Sequence, residues 1–184
     1  MARLGLIPLD RMTAEQRRLN DTIAGKRVGS QTRGPYGILL HHPALCERVV
    51  AVADFLRDHA TVARPLVEIV VLTIARHWTS QYAWFAHARH ADRFGLDPDM
   101  VEAIRTNRRP VIGDETEEVV YRMTSEIMKE KALREETYER AFRLLGERAL
   151  IEIVTTIGYY QLVATVLAAF EVDVPEGETR ALPL

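Results

Sequence analysis

Three observations predict an all-α fold. No stretch of the 184 residues alternates apolar and polar positions for long enough to argue a sheet. Apolar residues recur instead at spacings of three and four, as in Leu45, Val49, Val52 and Leu56. Helix punctuation brackets these segments, with capping residues ahead of them and glycine or proline at their ends. About seven or eight helices account for the pattern, in a single all-α domain over residues 1–184.

The elements follow in order. Thr13 to Gln16 is a capping box, and the helix it opens carries Leu19 and Ile23 before stopping near Gly25. Residues 28–38 hold Gly29, Gly34, Pro35 and Gly37, so they read as a turn-rich loop that delivers Leu39, Leu40, His41 and His42. The amphipathic helix after Pro43 ends near His59. Pro65 suits the first turn of the next helix, where its missing N–H would be unpaired anyway. That helix is apolar on nearly all sides, which places it centrally. A polar joint, His77 to Ser80, ends it. Thr79 or Ser80 then caps a fresh helix running to about Phe94, with Gly95 suited to a left-handed C′ position. Asp97-Pro98 starts a short helix through Ile104, and residues 105–113 form a basic loop. Asp114 to Glu117 repeats the capping-box pattern ahead of Val119, Val120, Met123 and Ile127. Tyr138, Ala141, Phe142 and Leu145 share a helical face before Gly146. Glu147 to Phe170 reads as one long helix, and the tail is irregular.

Composition narrows the partners. A net charge of −2 leaves no basic footprint, so nucleic acid is not expected. The single cysteine, Cys46, excludes an internal disulfide or CxxC pair and fits a small buried hydrophobe. The opening MARLGLIPLDRM is too short and too soon interrupted by Pro8 and Asp10 for a signal peptide. No apolar run approaches the roughly 18 residues needed to span a bilayer without polar interruption. A cytoplasmic protein with no membrane partner is expected.

Chemistry concentrates in residues 63–95. Glu68 is a lone acid among Leu66, Val67, Ile69, Val70, Val71 and Leu72, and an ionised carboxylate there is costly unless partnered. Further along come Tyr82, Trp84, Phe85, His87 and His90, with Ser80, Trp84 and His87 on one helical face. Nineteen residues separate Glu68 from His87, roughly 28 Å in a straight helix. The two meet only if the chain folds back at residues 77–80, or if a second subunit supplies one of them. A carboxylate held against an imidazole N–H fixes the tautomer and suits His87 to general acid–base work. Packing is the competing account for His87, Tyr82 and Trp84. His77 and His90 read as exposed helix residues, and His41 as a cap or surface site, with a pocket wall as the other reading. Arg76 is the nearest anchor for an anionic substrate, with a surface salt bridge as the simpler role. Six histidines raise the question of a metal, but there is no HExxH, and His87 and His90 lack a carboxylate in the same turn. A zinc or iron site would need distant helices. No metal and no cofactor is expected.

Leu66-Val-Glu-Ile-Val70 recurs as Leu150-Ile-Glu-Ile-Val154, which fits two related helical halves or a chance match in apolar helices.

Glu68 followed by Ser80-Gln-Tyr-Ala-Trp-Phe-Ala-His87 resembles the carboxymuconolactone decarboxylase and alkylhydroperoxidase D-like superfamily. Pro43-Ala-Leu45, Gly95-Leu-Asp-Pro98 and the C-terminal helix extend the likeness over residues 36–177, leaving residues 1–35 as an N-terminal extension. The resemblance implies an orthogonal multi-helix bundle and a homo-oligomer, trimer or hexamer. Redox members carry a glutamate, a CxxC pair and a histidine, which fall here on Glu68, Ser80, Ala83 and His87. Both cysteines are gone, so the thiol peroxidase mechanism has no nucleophile even where the family label is peroxidase. What the likeness then implies is the decarboxylase branch, acting on a small lactone or aromatic-derived acid. His87 would donate the proton, Glu68 would orient it, and Tyr82, Trp84, Ser80, Arg76 and His41 would shape the pocket. A non-catalytic ligand-binding or structural homologue is the other expectation.

Overall fold

The computed structural model describes residues 2–27 and 31–183. Among these residues every regular element is helical. They form α1 (Ala14–Arg27), α2 (Gly34–Leu39), α3 (Pro43–Asp58), α4 (Arg64–His77), α5 (Gln81–Arg93), α6 (Pro98–Arg105), α7 (Glu115–Glu130) and α8 (Glu135–Ala169). The chain divides into two compact units. One holds the described residues up to His59 with Thr165–Asp173, and the other holds Ala60–Ala164 and the residues from Val174 onward.

In the first unit, α1 to α3 enclose Leu19, Ile23, Leu40, Cys46 and Val50. The capping box forms reciprocally: the Gln16 amide donates to Thr13 Oγ1 at 3.2 Å, and the Thr13 amide donates to Gln16 Oε1 at 3.0 Å. Residues 34–39 are helix rather than the expected loop. Pro35 occupies the first turn, so Gly34-Pro35 opens a helix here instead of breaking one. The loop expectation for residues 28–30 lies outside the described residues.

In the second unit α4 is the central helix and packs chiefly against α5 and α7. Its residues Val67 to Ala75 are all buried, as its apolar circumference requires. It ends in a Schellman turn: Ser80 N–H reaches Ala75 C=O at 2.8 Å, and Thr79 N–H reaches Arg76 C=O at 3.0 Å. The C′ residue is Thr79 at φ 48°, left-handed backbone that a β-branched side chain adopts at a cost. Arg76 Nη1 donates to Thr79 Oγ1 at 3.0 Å and holds the turn. The same turn closes α5, where Gly95 occupies C′ at φ 74° without that cost. Replacing Thr79 by glycine should therefore raise stability by up to about 1 kcal/mol, the strain relieved exceeding the added unfolded-state freedom. A lowered melting temperature for Thr79→Gly would show that the Arg76 bond matters more.

The C-terminal half carries the two helical segments expected on either side of Gly146 and corrects one other expectation, that no segment is apolar enough to span a bilayer. Helix α8 runs from Glu135 to Ala169, but Gly146 (φ 74°, ψ 169°) interrupts it, so two helical segments meet at a bend. Helix α8 is also long and apolar enough to cross a membrane by length and composition alone. The apolar window is half buried in the fold, with Ile153, Ile157, Val163 and Ala164 inside, which is the pattern of a core helix. The tail is irregular but anchored: Gln81 exchanges two hydrogen bonds with the Leu182 backbone (2.8 and 3.0 Å), fixing the tail to the first turn of α5.

Candidate functional site

The α4–α5 turn folds the chain back at residues 77–80 and brings Glu68 against His87. The Glu68 side chain is fully buried. Its Oε2 lies 2.8 Å from His87 Nδ1, and its Oε1 accepts from Arg64 Nη2 at 2.9 Å. His90, one turn beyond His87, places Nδ1 3.7 Å from the same Oε1. The His87 side chain keeps 17% of its surface, so the dyad has an edge open to solvent. Tyr160 from α8 and His90 both meet the His87 ring edge-on, at 5.3 and 5.5 Å between centroids. Arg64 sits 5.6 Å from the centroid of Phe94, which steers the guanidinium toward Glu68. An ionised carboxylate only accepts, so Nδ1 carries the proton in this contact and Nε2 is left to exchange one. Burial holds His90 below the usual histidine range, only partly countered by the Glu68 charge and reinforced by His87.

Two other buried glutamates show what is distinctive about Glu68. Glu126 accepts from Thr137 Oγ1, the Arg134 amide and Arg122. Glu152 accepts from the Thr61 amide and hydroxyl, the Val62 amide and Arg148. In both, burial works to raise the carboxyl pKa, and the hydrogen bonds bring it below the ordinary value. These two acids pin backbone and hydroxyl groups. Glu68 instead meets a guanidinium and two imidazoles, and no loop depends on it for satisfaction.

The remaining candidates are dispersed. Ser80 stands at the N-cap of α5 without a side-chain capping bond. Ala83 is buried one turn before His87 and offers no functional group there. Trp84 is a core residue, 3% exposed. Tyr82 is half-buried and five residues before His87, so it lies off the His87 face. Arg76 stands apart from the Glu68–His87 pair. It lines a cavity of about 510 Å³ with Thr73, His77, Tyr121 and Arg122, and neither Glu68 nor His87 borders that cavity. It donates to Thr79, and its Nε is buried without a hydrogen-bond partner, so it is not a surface ion pair. His41 belongs to the first unit, where it is exposed with Nε2 2.9 Å from Gly5 C=O.

His90 is half-buried and faces Glu68, where the sequence predicted an exposed residue. The signal was its i,i+3 relation to His87, which puts both rings on one face. Arg64 went unnoticed for the parallel reason, being i−4 from Glu68.

No protein-family model matches the sequence, and no curated protein matches it. Solved structures do. An uncharacterized peroxidase-related protein from Silicibacter sp. TM1040 superposes with a TM-score of 0.79 at 15% identity, over 98% of this chain and 95% of that one. An alkylhydroperoxidase AhpD core, an uncharacterized peroxidase-related protein from Ralstonia eutropha JMP134, gives 0.76 at 13% identity, over 95% and 93%. A protein of unknown function from Agrobacterium tumefaciens, described in connection with the antioxidant defence protein AhpD, gives 0.68 at 12% identity, over 78% and 99%. At these identities the likeness is one of architecture, and the architecture of this chain is the all-helical AhpD-like fold.

Proposed function

We propose that this protein is an acid–base enzyme of decarboxylase type, acting on a small cyclic carboxylic acid of lactone or aromatic origin. The observation that supports it is the 2.8 Å contact between a fully buried Glu68 and a partly open His87. When a substrate carboxylate leaves as CO₂, its bonding electron pair stays on the ring carbon as an enolate-like species that must take up a proton. His87, oriented through Nδ1 by Glu68, supplies that proton from Nε2 and is reprotonated from solvent along its exposed edge. Tyr160, edge-on to the ring, limits the rotation that would misdirect Nε2.

A thiol peroxidase is disfavoured despite the descriptions of the structural neighbours. Ser80 and Ala83 stand where the resemblance places the two thiols, and Cys46 is buried among the α1–α3 core residues.

The test is CO₂ release from a panel of lactone and aromatic acids by wild type and His87→Ala, with a hydroperoxide and a dithiol as control substrates. Release by the wild type that falls by about 100-fold or more in the variant is expected, the usual range for a lost general acid. Absence of release from every acid would defeat the proposal, and so would peroxide turnover.

A further inference from the structure

The geometry points to a divalent transition-metal site formed by Glu68 of α4 with His87 and His90 of α5. One ligand atom from each of the three residues lies within 4.8 Å of the other two. Two imidazoles and one carboxylate, leaving positions open, form the donor set of catalytic zinc and non-haem ferrous centres. The sequence argued against such a site because no carboxylate shares a turn with the two histidines. The Thr79 turn supplies one from the preceding helix.

A second observation points to the same place. His90 Nδ1 is buried and has no hydrogen-bond partner, although a carboxylate oxygen lies 3.7 Å away. Neither tautomer resolves this. As an N–H, Nδ1 is too far from Oε1 for a good bond, and as a lone pair it faces another lone pair. A cation held by the His90 Nδ1 lone pair and by Glu68 Oε2 relieves this, while Oε1 stays with Arg64. His87 then ligates through Nδ1 in its other neutral tautomer, with the proton on Nε2, so no net proton is released at this ring. Arg64, bound to Oε1, leaves Oε2 to the metal and orients the carboxylate as outer-shell partners commonly do.

This inference goes beyond the acid–base reading: it shares Glu68 and His87 with that reading, and a bound metal replaces the Nδ1–H contact to Glu68 that the proton step uses, so the two describe the loaded and the metal-free site. It is tested by isothermal calorimetry and equilibrium dialysis of the full chain with Zn²⁺, and by the visible spectrum with Co²⁺. The wild type is expected to take up one equivalent. His90→Ala and Glu68→Gln should each bind more than about 100-fold more weakly, beyond the 10–100-fold typical of outer-shell losses. The control is His59→Ala, an exposed histidine of the first unit, which should bind as the wild type does. Circular dichroism verifies that each variant is folded. If His90→Ala destabilises the chain, Glu68→Gln and the Co²⁺ spectrum carry the test. A wild type that takes up no metal, a folded His90→Ala or Glu68→Gln that binds normally, or loss of binding in His59→Ala would each overturn the assignment. None of these readouts needs a substrate, so failure here is distinct from failure to release CO₂.

Discussion

Glu126→Ala is expected to lower stability by about 2–4 kcal/mol, the largest single effect among the stability variants considered. The Glu126 carboxylate joins the end of α7 to the start of α8, accepting from Thr137 Oγ1 at 2.8 Å and the Arg134 amide at 3.2 Å. Thr137 is fully buried, so alanine leaves a hydroxyl that water cannot reach. Arg122 loses one of two carboxylate partners but keeps Glu136 and its partial exposure, so its share of the cost is small. For a chain of this size the loss corresponds to roughly 5–15 °C in melting temperature. Glu126→Gln should fall between, since its carbonyl oxygen still accepts from Thr137. A Glu126→Ala protein melting within a degree or two of wild type would mean that the α7–α8 turn is held by packing alone.

The same network sets an acid limit. The pKa values of Glu126 and Glu152 lie below the ordinary carboxylate value in the folded chain. Their stabilisation is therefore complete above the unfolded-state pKa and is lost as pH falls through the lower folded values. Chemical denaturation at descending pH should show stability declining below about pH 4.5 in the wild type. The decline should be shallower in Glu126→Gln, which has one fewer linked proton.

How much of this was legible depended on whether a contact lay along one helix or between elements. The Thr13 box, the α5 boundaries and the burial of α4 rest on local periodicity and capping, and the sequence displays them openly. Glu68 stood out because its neighbours from Leu66 to Leu72 are otherwise apolar. Glu126 did not, since Thr124, Ser125 and Lys129 surround it and make it look like a solvated face. Its partners Arg134 and Thr137 come from beyond the Lys131 turn, which no periodicity announces. The helix over 34–39 was hidden for another reason: proline and glycine signal turns on average, yet Pro35 at a first helical turn is favourable. The site behaved likewise. Arg64 and His90 were available from i,i+4 and i,i+3 spacing, but their meeting required knowing that α5 folds back onto α4 at Thr79.

Glu68→Gln should separate the catalytic reading of the site from a purely structural one. The amide keeps the shape and an oxygen able to accept from His87 Nδ1, but removes the charge that stabilises the imidazolium formed during proton transfer. CO₂ release is expected to fall by about 100-fold through kcat, with KM changed little, because Glu68 acts on His87 rather than on bound substrate. The fold should survive. Arg64 keeps 31% of its side-chain surface and can turn to water, so the stability cost is about 1–3 kcal/mol. Glu68→Asp sharpens the test, because one methylene fewer draws the carboxylate back from a 2.8 Å contact while retaining its charge. If orientation of His87 matters most, Asp is more damaging than Gln, whose oxygen still accepts from Nδ1. If charge matters most, Asp recovers part of kcat, and its pH profile shifts toward that of the wild type. Full kcat in Glu68→Gln would leave the buried carboxylate as a packing feature and remove Glu68 from the proton step.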